Sequence, residues 1–300
     1  MFCDLHMHST ASDGTDAPSA LPALAAAHGL SAIALTDHDT TAGLPACAAA
    51  CEAAGIAFVP GIEVSADPAP ARATHRLGTP LHDDHAEPLR FGTLHILGLF
   101  IRHDDAGLLD IHHRMVEARL SRNPAIVHKL REMGVDIEYE EVEQLAQSQG
   151  TTVIGRPHIA QVLMKKGYVK SIQDAFRKYI GAGAQAYVRR DPLDPHHAID
   201  AIHTAGGLAI LAHPIQLRCA HADDLEHAVT RLKAMGLDGI ETQHCDHHPH
   251  DVEQYAALAD KLELLTTGGS DYHGTRKGVD LNSERVPLDR YEQLRDAAGI

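Results

Sequence analysis

Short apolar runs alternate with alanine- and leucine-rich helical stretches at both ends of this chain, across brief connections, and that alternation leaves few folds open. Residues 17–29 predict a helix closed by Gly29, 31–36 a strand running into Thr-Asp-His-Asp, and 41–54 a second helix stopped by Gly55. Strands are expected at 56–65 and 93–101. The pattern returns with helices at 195–205, 222–235 and 249–261 and strands at 208–212, 238–243 and 262–267. Strands joined in this way build a parallel sheet or barrel, where reactive residues gather at the carboxyl ends of the strands.

Two segments break the alternation. From about 104 to 187 the pattern is helical, over 110–133 and again near 138–148, 158–167 and 171–180. This predicts a helical subdomain inserted into an α/β framework formed by 1–103 and 188–300 and lying over its mouth. Residues 67–92 are rich in proline and histidine without a clear period, the signature of a long surface loop.

Composition narrows the chemistry. With 300 residues, 44% of them hydrophobic, the chain can bury a substantial core, so disorder is not expected. There is no charged start followed by an apolar run and no stretch near the roughly twenty apolar residues of a membrane span, so a cytoplasmic protein without a membrane partner is expected. Five cysteines lack paired zinc spacing or a secreted disulfide framework and read as ordinary thiols. A formal charge of −15 opposes any broad grip on duplex nucleic acid. The 24 histidines point the other way, because neutral imidazole is the commonest metal ligand and bound cations would reverse the field locally.

His6-Met7-His8 places two imidazoles on one face of a strand, a geometry suited to one ion. Alone, His-x-His is as well explained by structure as by metal. Its context weighs more. Asp13 follows in a loop containing Gly14, His38 follows the second strand, and Glu63 lies in Gly-Ile-Glu-Val-Ser. His95 opens the next strand, His213 ends Leu-Ala-Ile-Leu-Ala-His-Pro, and Asp271 and His273 lie in Gly-Gly-Ser-Asp-Tyr-His-Gly. In a barrel these positions converge, and buried imidazoles and carboxylates require either each other or cations.

Taken in order, His6-x-His8, Thr36-Asp37-His38, Gly61-Ile62-Glu63-Val64-Ser65, Ala212-His213-Pro214 and Gly269-Ser270-Asp271-x-His273 resemble the polymerase-and-histidinol-phosphatase (PHP) family of the amidohydrolase superfamily. That resemblance implies a distorted seven-stranded (β/α) barrel with two or three metal ions. It would put His6, His8, Glu63 and Asp271 on the first ion, with Glu63 bridging to a second held by His95 and His213. Asp13, His38 and His273 would hold a third; a histidine often stands in the family where Asp13 does. His75, inside the 67–92 loop, is a rival for the role of His95. His6, His8, Glu63, Asp271 and His273 would also form the catalytic group.

Gly155-Arg156-Pro157-His158-Ile159-Ala160 and the helical insertion resemble the TrpH/YciV-type branch of that family. This implies removal of the 3′-phosphate from nucleoside 3′,5′-bisphosphates and 5′-to-3′ trimming of short RNA. Histidinol-phosphate hydrolysis and a non-catalytic metal-binding module are the rival readings. Imidazole and carboxylate ligands without cysteine suit Mn first, then Fe or Zn. Arginine binds phosphate through a planar fork, so Arg156, beside His158, is the expected contact to a second substrate phosphate. Arg119, Arg122, Arg189 and Arg190 are weaker candidates, and the histidine tracts at 112–113, 196–197 and 244–250 read as exposed polar residues.

Overall fold

The structure is a computed structural model and describes residues 1–72, 92–149, 154–181, 183–188 and 193–300. His75, Arg189 and Arg190, and the side chain of Arg119, lie outside the described residues.

Eight strands form one sheet: β1 (Phe2–Asp4), β2 (Leu30–Leu35), β3 (Ala57–Ala66), β4 (Leu94–Leu99), β5 (Leu208–Leu211), β6 (Gly239–His244), β7 (Leu265–Gly269) and β8 (Val286–Pro287). Their order is β7-β6-β5-β4-β3-β2-β1-β8. The helices are α1 (Leu21–Ala27), α2 (Leu44–Ala54), α3 (Ala69–Arg72), α4 (Ala106–Glu132), α5 (Tyr139–Ser148), α6 (Arg156–Lys165), α7 (Ile172–Ala175), α8 (Pro195–Thr204), α9 (Ala222–Ala234), α10 (Pro249–Lys261) and α11 (Leu288–Ala297). α7 continues into a wider turn over Phe176–Ile180.

The sheet curls into a nearly closed barrel because the segments after β1 and β7 pair with each other. Leu5 N donates to Gly268 O (3.2 Å), Asp271 N to His6 O (2.9 Å) and His8 N to Tyr272 O (2.8 Å). Gly269 makes this approach possible, since a Cβ there would lie 2.4 Å from His6 N and 2.5 Å from His6 Cβ. The expected seven strands therefore gain an eighth, two-residue β8, which adds antiparallel to the outer side of β1.

One strand departs from the expected parallel arrangement. β4 runs antiparallel to both β3 and β5, whereas β1–β2, β2–β3, β5–β6 and β6–β7 are parallel. The reversal decides where His95 goes. It lies at the start of β4, opposite Ser65 near the end of β3, so an amino-terminal residue of one strand joins the carboxyl ends of its neighbours.

Buried Ile, Leu, Val and Ala from the strands and surrounding helices form the barrel's apolar clusters. A separate cluster containing Ile126, Leu130, Val142, Ile159, Leu163, Val169 and Ile180 holds α5, α6 and α7 to the second half of α4. The first half of α4, through Leu108, Ile111 and Met115, packs into the barrel cluster instead. Passage from one core to the other thus occurs within a single continuous helix.

Candidate metal centre

The nine residues expected to bind metal lie in one cluster at the barrel mouth. Glu63 is its hub and is fully buried. One oxygen lies 3.3 Å from His6 Nε2, 3.1 Å from His8 Nε2 and 3.0 Å from His38 Nδ1; the other is 2.7 Å from His95 Nδ1 and 2.8 Å from His213 Nε2. Asp271 Oδ1 completes the first group, 3.3 Å from His6 Nε2 and 3.1 Å from His8 Nε2. Asp13 lies 3.2 Å from His273 Nε2 and 4.0 Å from His38 Nε2.

A cation would require unpaired donor atoms aimed at one point. His6 Nε2, both ring nitrogens of His8, Asp13 Oδ1, His38 Nδ1 and Glu63 Oε2 are buried without hydrogen-bond partners. Leaving so many polar atoms orphaned is costly. Ligands about 2.0–2.2 Å from one ion stand about 3.0–3.5 Å from each other, which is the spacing found around Glu63 and Asp271. Donor atoms of His6, His8, Glu63 and Asp271 lie within 4.8 Å of one another, as do those of His8, Asp13, His38 and His273 and those of His38, Glu63 and His95. The residues fit divalent cations held by nitrogen and oxygen.

Without ions the imidazoles and carboxylates balance one another's charge at ion-pair distance, although Glu63 Oε2 and the His8 Nε2 and His38 Nδ1 atoms facing it form no hydrogen bonds. Burial works against charge on the Glu63 and Asp271 carboxyls, yet the surrounding imidazoles, joined at Asp271 by Lys277, hold both well below the usual carboxylate range. Burial likewise disfavours charged His38, but Glu63 and Asp13 raise it to about 10. His213 moves the other way, since burial dominates and lowers it to about 4.

A second ring of side chains fixes the first. His6 Nδ1 contacts Glu241 Oε1 at 3.0 Å, while the other Glu241 oxygen accepts from His213 N at 2.8 Å. Burial opposes ionisation of Glu241, but His6 and its neighbouring imidazoles bring it down to about 2. His244 Nδ1 accepts from Asp246 N (3.0 Å), leaving Nε2 to donate to Asp271 Oδ2 (3.2 Å), an oxygen that Lys277 Nζ also contacts. Asp37 accepts from Ser9 N, Ser9 Oγ and Ser12 Oγ at 2.8, 2.7 and 2.6 Å and so shapes the loop carrying Asp13. His213 and Asp271 hold left-handed backbone (φ +26° and +53°), strain of a kind that concentrates at functional sites.

Glu241, His244 and Lys277 are absent from the sequence-derived set. His244, expected to be exposed with its tract, is fully buried. Its neighbours divide: His247 is partly buried, with Nδ1 2.9 Å from Thr242 O, whereas His248 and His250 are exposed. Gly239-Ile240-Glu241 repeats the tripeptide Gly61-Ile62-Glu63, a signal that marks Glu241.

Arg276, one turn past His273, connects this centre to the helical segment. Nη1 donates to Asp13 O and Nη2 to Gln149 Oε1 (2.8 Å), and the side-chain amides of Gln149 and Gln161 of α6 meet at 2.7 Å. Arg156 and His158 lie at the start of α6, outside the ligand cluster. Arg156 Nη1 donates to Ile180 O (3.3 Å), and its guanidinium packs 5.3 Å from the Phe176 ring centroid and 5.8 Å from that of Tyr187. His158 is buried, and its Nδ1 accepts from Gly155 N at 3.0 Å, closing the turn that presents Arg156.

The PHP domain family model matches residues 4–188, more than half the chain. The chain belongs to the PHP domain family. A 5′-3′ exoribonuclease of Haemophilus influenzae is 32% identical over 95% of this PHP chain and 97% of its own length. A phosphoribosyl 1,2-cyclic phosphate 1,2-diphosphodiesterase of Eggerthella lenta is 33% identical over 96% and 100%. A 3′,5′-nucleoside bisphosphate phosphatase of Chromobacterium violaceum is 31% identical over 92% and 88%. Among solved structures, a metal-dependent phosphoesterase from Bifidobacterium adolescentis superposes with a TM-score of 0.81 at 29% identity, over 99% of this chain and 96% of that one.

Proposed function

We propose that this chain is a metal-dependent phosphoric monoester hydrolase that removes the 3′-phosphate of nucleoside 3′,5′-bisphosphates, for example converting adenosine 3′,5′-bisphosphate to AMP and phosphate, and that it also trims short oligoribonucleotides from the 5′ end. The observation that carries the reading is the ring of orphaned nitrogen and oxygen atoms around Glu63 and Asp271. The relatives named for bisphosphate and RNA hydrolysis support it. A nucleoside 3′,5′-bisphosphate is the smallest fragment with a phosphate on each side of one ribose, which a 5′-phosphorylated RNA end also presents.

In this reading His6, His8, Glu63 and Asp271 hold one ion, Glu63 is shared with a second at His95 and His213, and Asp13, His38 and His273 take a third, with Mn as the metal best suited to the donors. Divalent ions held there supply the Lewis acidity that activates water and neutralises phosphoryl oxygens. The protein's part is orientation. Glu241 fixes the His6 ring, while His244 and Lys277 occupy the outer oxygen of Asp271 and leave Oδ1 facing inward. Arg156 grips the 5′-phosphate through charge-assisted hydrogen bonds, with His158 positioning its turn, and the helices of 104–187 cover the barrel mouth. A cytoplasmic location suits nucleotide and RNA substrates; among the described residues no helix is long and apolar enough to cross a membrane.

The test is phosphate release by the Mn-loaded protein from adenosine 3′,5′-bisphosphate, adenosine 3′-phosphate, AMP, histidinol phosphate and phosphoribosyl 1,2-cyclic phosphate, together with mononucleotide release from 5′-phosphorylated RNA. The highest kcat/KM is expected on the bisphosphate. Preference for histidinol phosphate or the cyclic ester would assign the centre to a different substrate.

A further inference from the structure

Charge is distributed unevenly along this acidic chain. Residues 154–188 carry six of the 26 Lys and Arg and one of the 41 acidic residues, +5 by sequence within a total of −15, although one of the six, Lys166, pairs outside the segment with Glu141 (2.7 Å) and Asp136 (3.6 Å). The single acid, Asp174, is enclosed by Arg177 Nη2, Lys178 Nζ (3.2 Å) and Lys170 N (3.2 Å). Lys170, Arg177 and Lys178 line a hollow of about 310 Å³ together with Ser171, Gln173 and Asp174. Lys165, Lys170, Arg177 and Lys178 are all exposed. Tyr168, Phe176 and Tyr179 are interleaved with these cations and only partly buried.

This basic segment is joined to the metal centre. Arg276 touches the backbone of Asp13 and the side chain of Gln149, and Gln149 touches Gln161. Lys165 lies one helical turn beyond Gln161 on the same face of α6. A cationic surface with partly open rings, beginning beside a phosphoester site, suits a single-stranded polyanion, whose phosphates meet cations while its bases stack on π-faces. A lone bisphosphate is too short to use it.

We propose that the face carrying Lys165, Lys170, Arg177 and Lys178 is a docking surface for the 3′ body of a single-stranded RNA whose 5′ end occupies the barrel mouth. The inference rests on the phosphoesterase reading above and adds where a longer substrate lies. It predicts that affinity rises with oligonucleotide length and falls with salt. Bound nucleotides beyond the first contribute through the insertion and leave the chemistry unchanged.

The experiment compares the Mn-loaded wild type with a Lys165→Ala/Lys170→Ala/Lys178→Ala variant on adenosine 3′,5′-bisphosphate and on 5′-phosphorylated RNAs of two to ten nucleotides, over a salt series. The wild-type KM should fall as the RNA lengthens. In the variant, KM for the ten-nucleotide RNA should rise ten-fold or more with kcat/KM on the bisphosphate within two-fold of wild type. The slope of log affinity against log salt should shrink by about 2, from three lost phosphate contacts at about 0.7 each. A wild-type KM independent of length, or a variant whose RNA KM and salt slope match wild type, would overturn the surface while leaving bisphosphate hydrolysis intact. Parallel losses on RNA and bisphosphate would also overturn it, because the cations would then serve the reacting centre. Wild type inactive on every substrate would sink the phosphoesterase reading itself.

Discussion

Glu63 has both carboxylate oxygens engaged with imidazoles, so its replacement separates ligand loss from misfolding. Glu63→Gln keeps the volume but removes the negative charge that binds cations. Metal content is expected to fall by at least one ion per chain and turnover to become nearly undetectable, while circular dichroism stays native; full stoichiometry by elemental analysis with wild-type turnover would exclude Glu63 as the hub. Glu241 acts one bond further out. A carboxylate behind a ligating imidazole fixes its tautomer and raises its basicity, so Glu241→Gln should weaken metal affinity by roughly 10–100-fold and be rescued by excess metal, a recovery that Glu63→Gln lacks. Metal titration followed by activity distinguishes the two. The clustered residues themselves were legible because His-x-His, Gly-Ile-Glu and Ser-Asp-x-His keep their local spacing at strand ends. Glu241 and His244 were not, because a residue that acts by touching His6 or Asp271 reveals that partner only after 235 or 27 residues of intervening chain have folded.

At the scale of elements, most strands and helices follow from apolar periodicity and from glycines at their ends, within a few residues. The direction of β4 does not. Its composition is that of its neighbours, and direction depends on the connection; the 67–92 stretch has no helical period to form the crossover that a parallel partner needs. The two-residue β8 is too short to carry a period. The Gly155–His158 turn belongs to this scale because it sets where a whole helix presents its arginine. If Arg156 holds the remote phosphate, Arg156→Ala should lower kcat/KM on adenosine 3′,5′-bisphosphate by about ten-fold more than on adenosine 3′-phosphate. Equal losses on the two substrates would move Arg156 to a structural role, consistent with its packing on Phe176 and Tyr187.

For the whole molecule, the centre joins the first and last parts of the sequence, so metal occupancy is a property of the fold. His6 and His8 follow β1, Asp271 and His273 follow β7, and Gly269 lets the two ends meet. Ions that bind the folded chain and not the unfolded one stabilise it by about 2.7 kcal/mol at a hundred times Kd, so chelation should lower Tm by several degrees without unfolding the protein at room temperature. The apoprotein survives because imidazoles and carboxylates pair in place of metal. This exchange fixes the sign of the pH dependence. His38, raised to about 10, contributes stability to the apoprotein that is fully present below the ordinary imidazole value and is lost as pH rises through about 10. Metal requires His38 and His6, the latter also raised, in their neutral forms, so binding releases protons throughout that interval. Apparent metal affinity, and with it the Tm difference between metal-loaded and chelated protein, is expected to increase from pH 6 to pH 8, by about ten-fold in affinity per pH unit for each proton displaced. Differential scanning calorimetry of both forms across that range measures it, and a difference that shrinks with rising pH would show that the ions do not replace protons on these histidines.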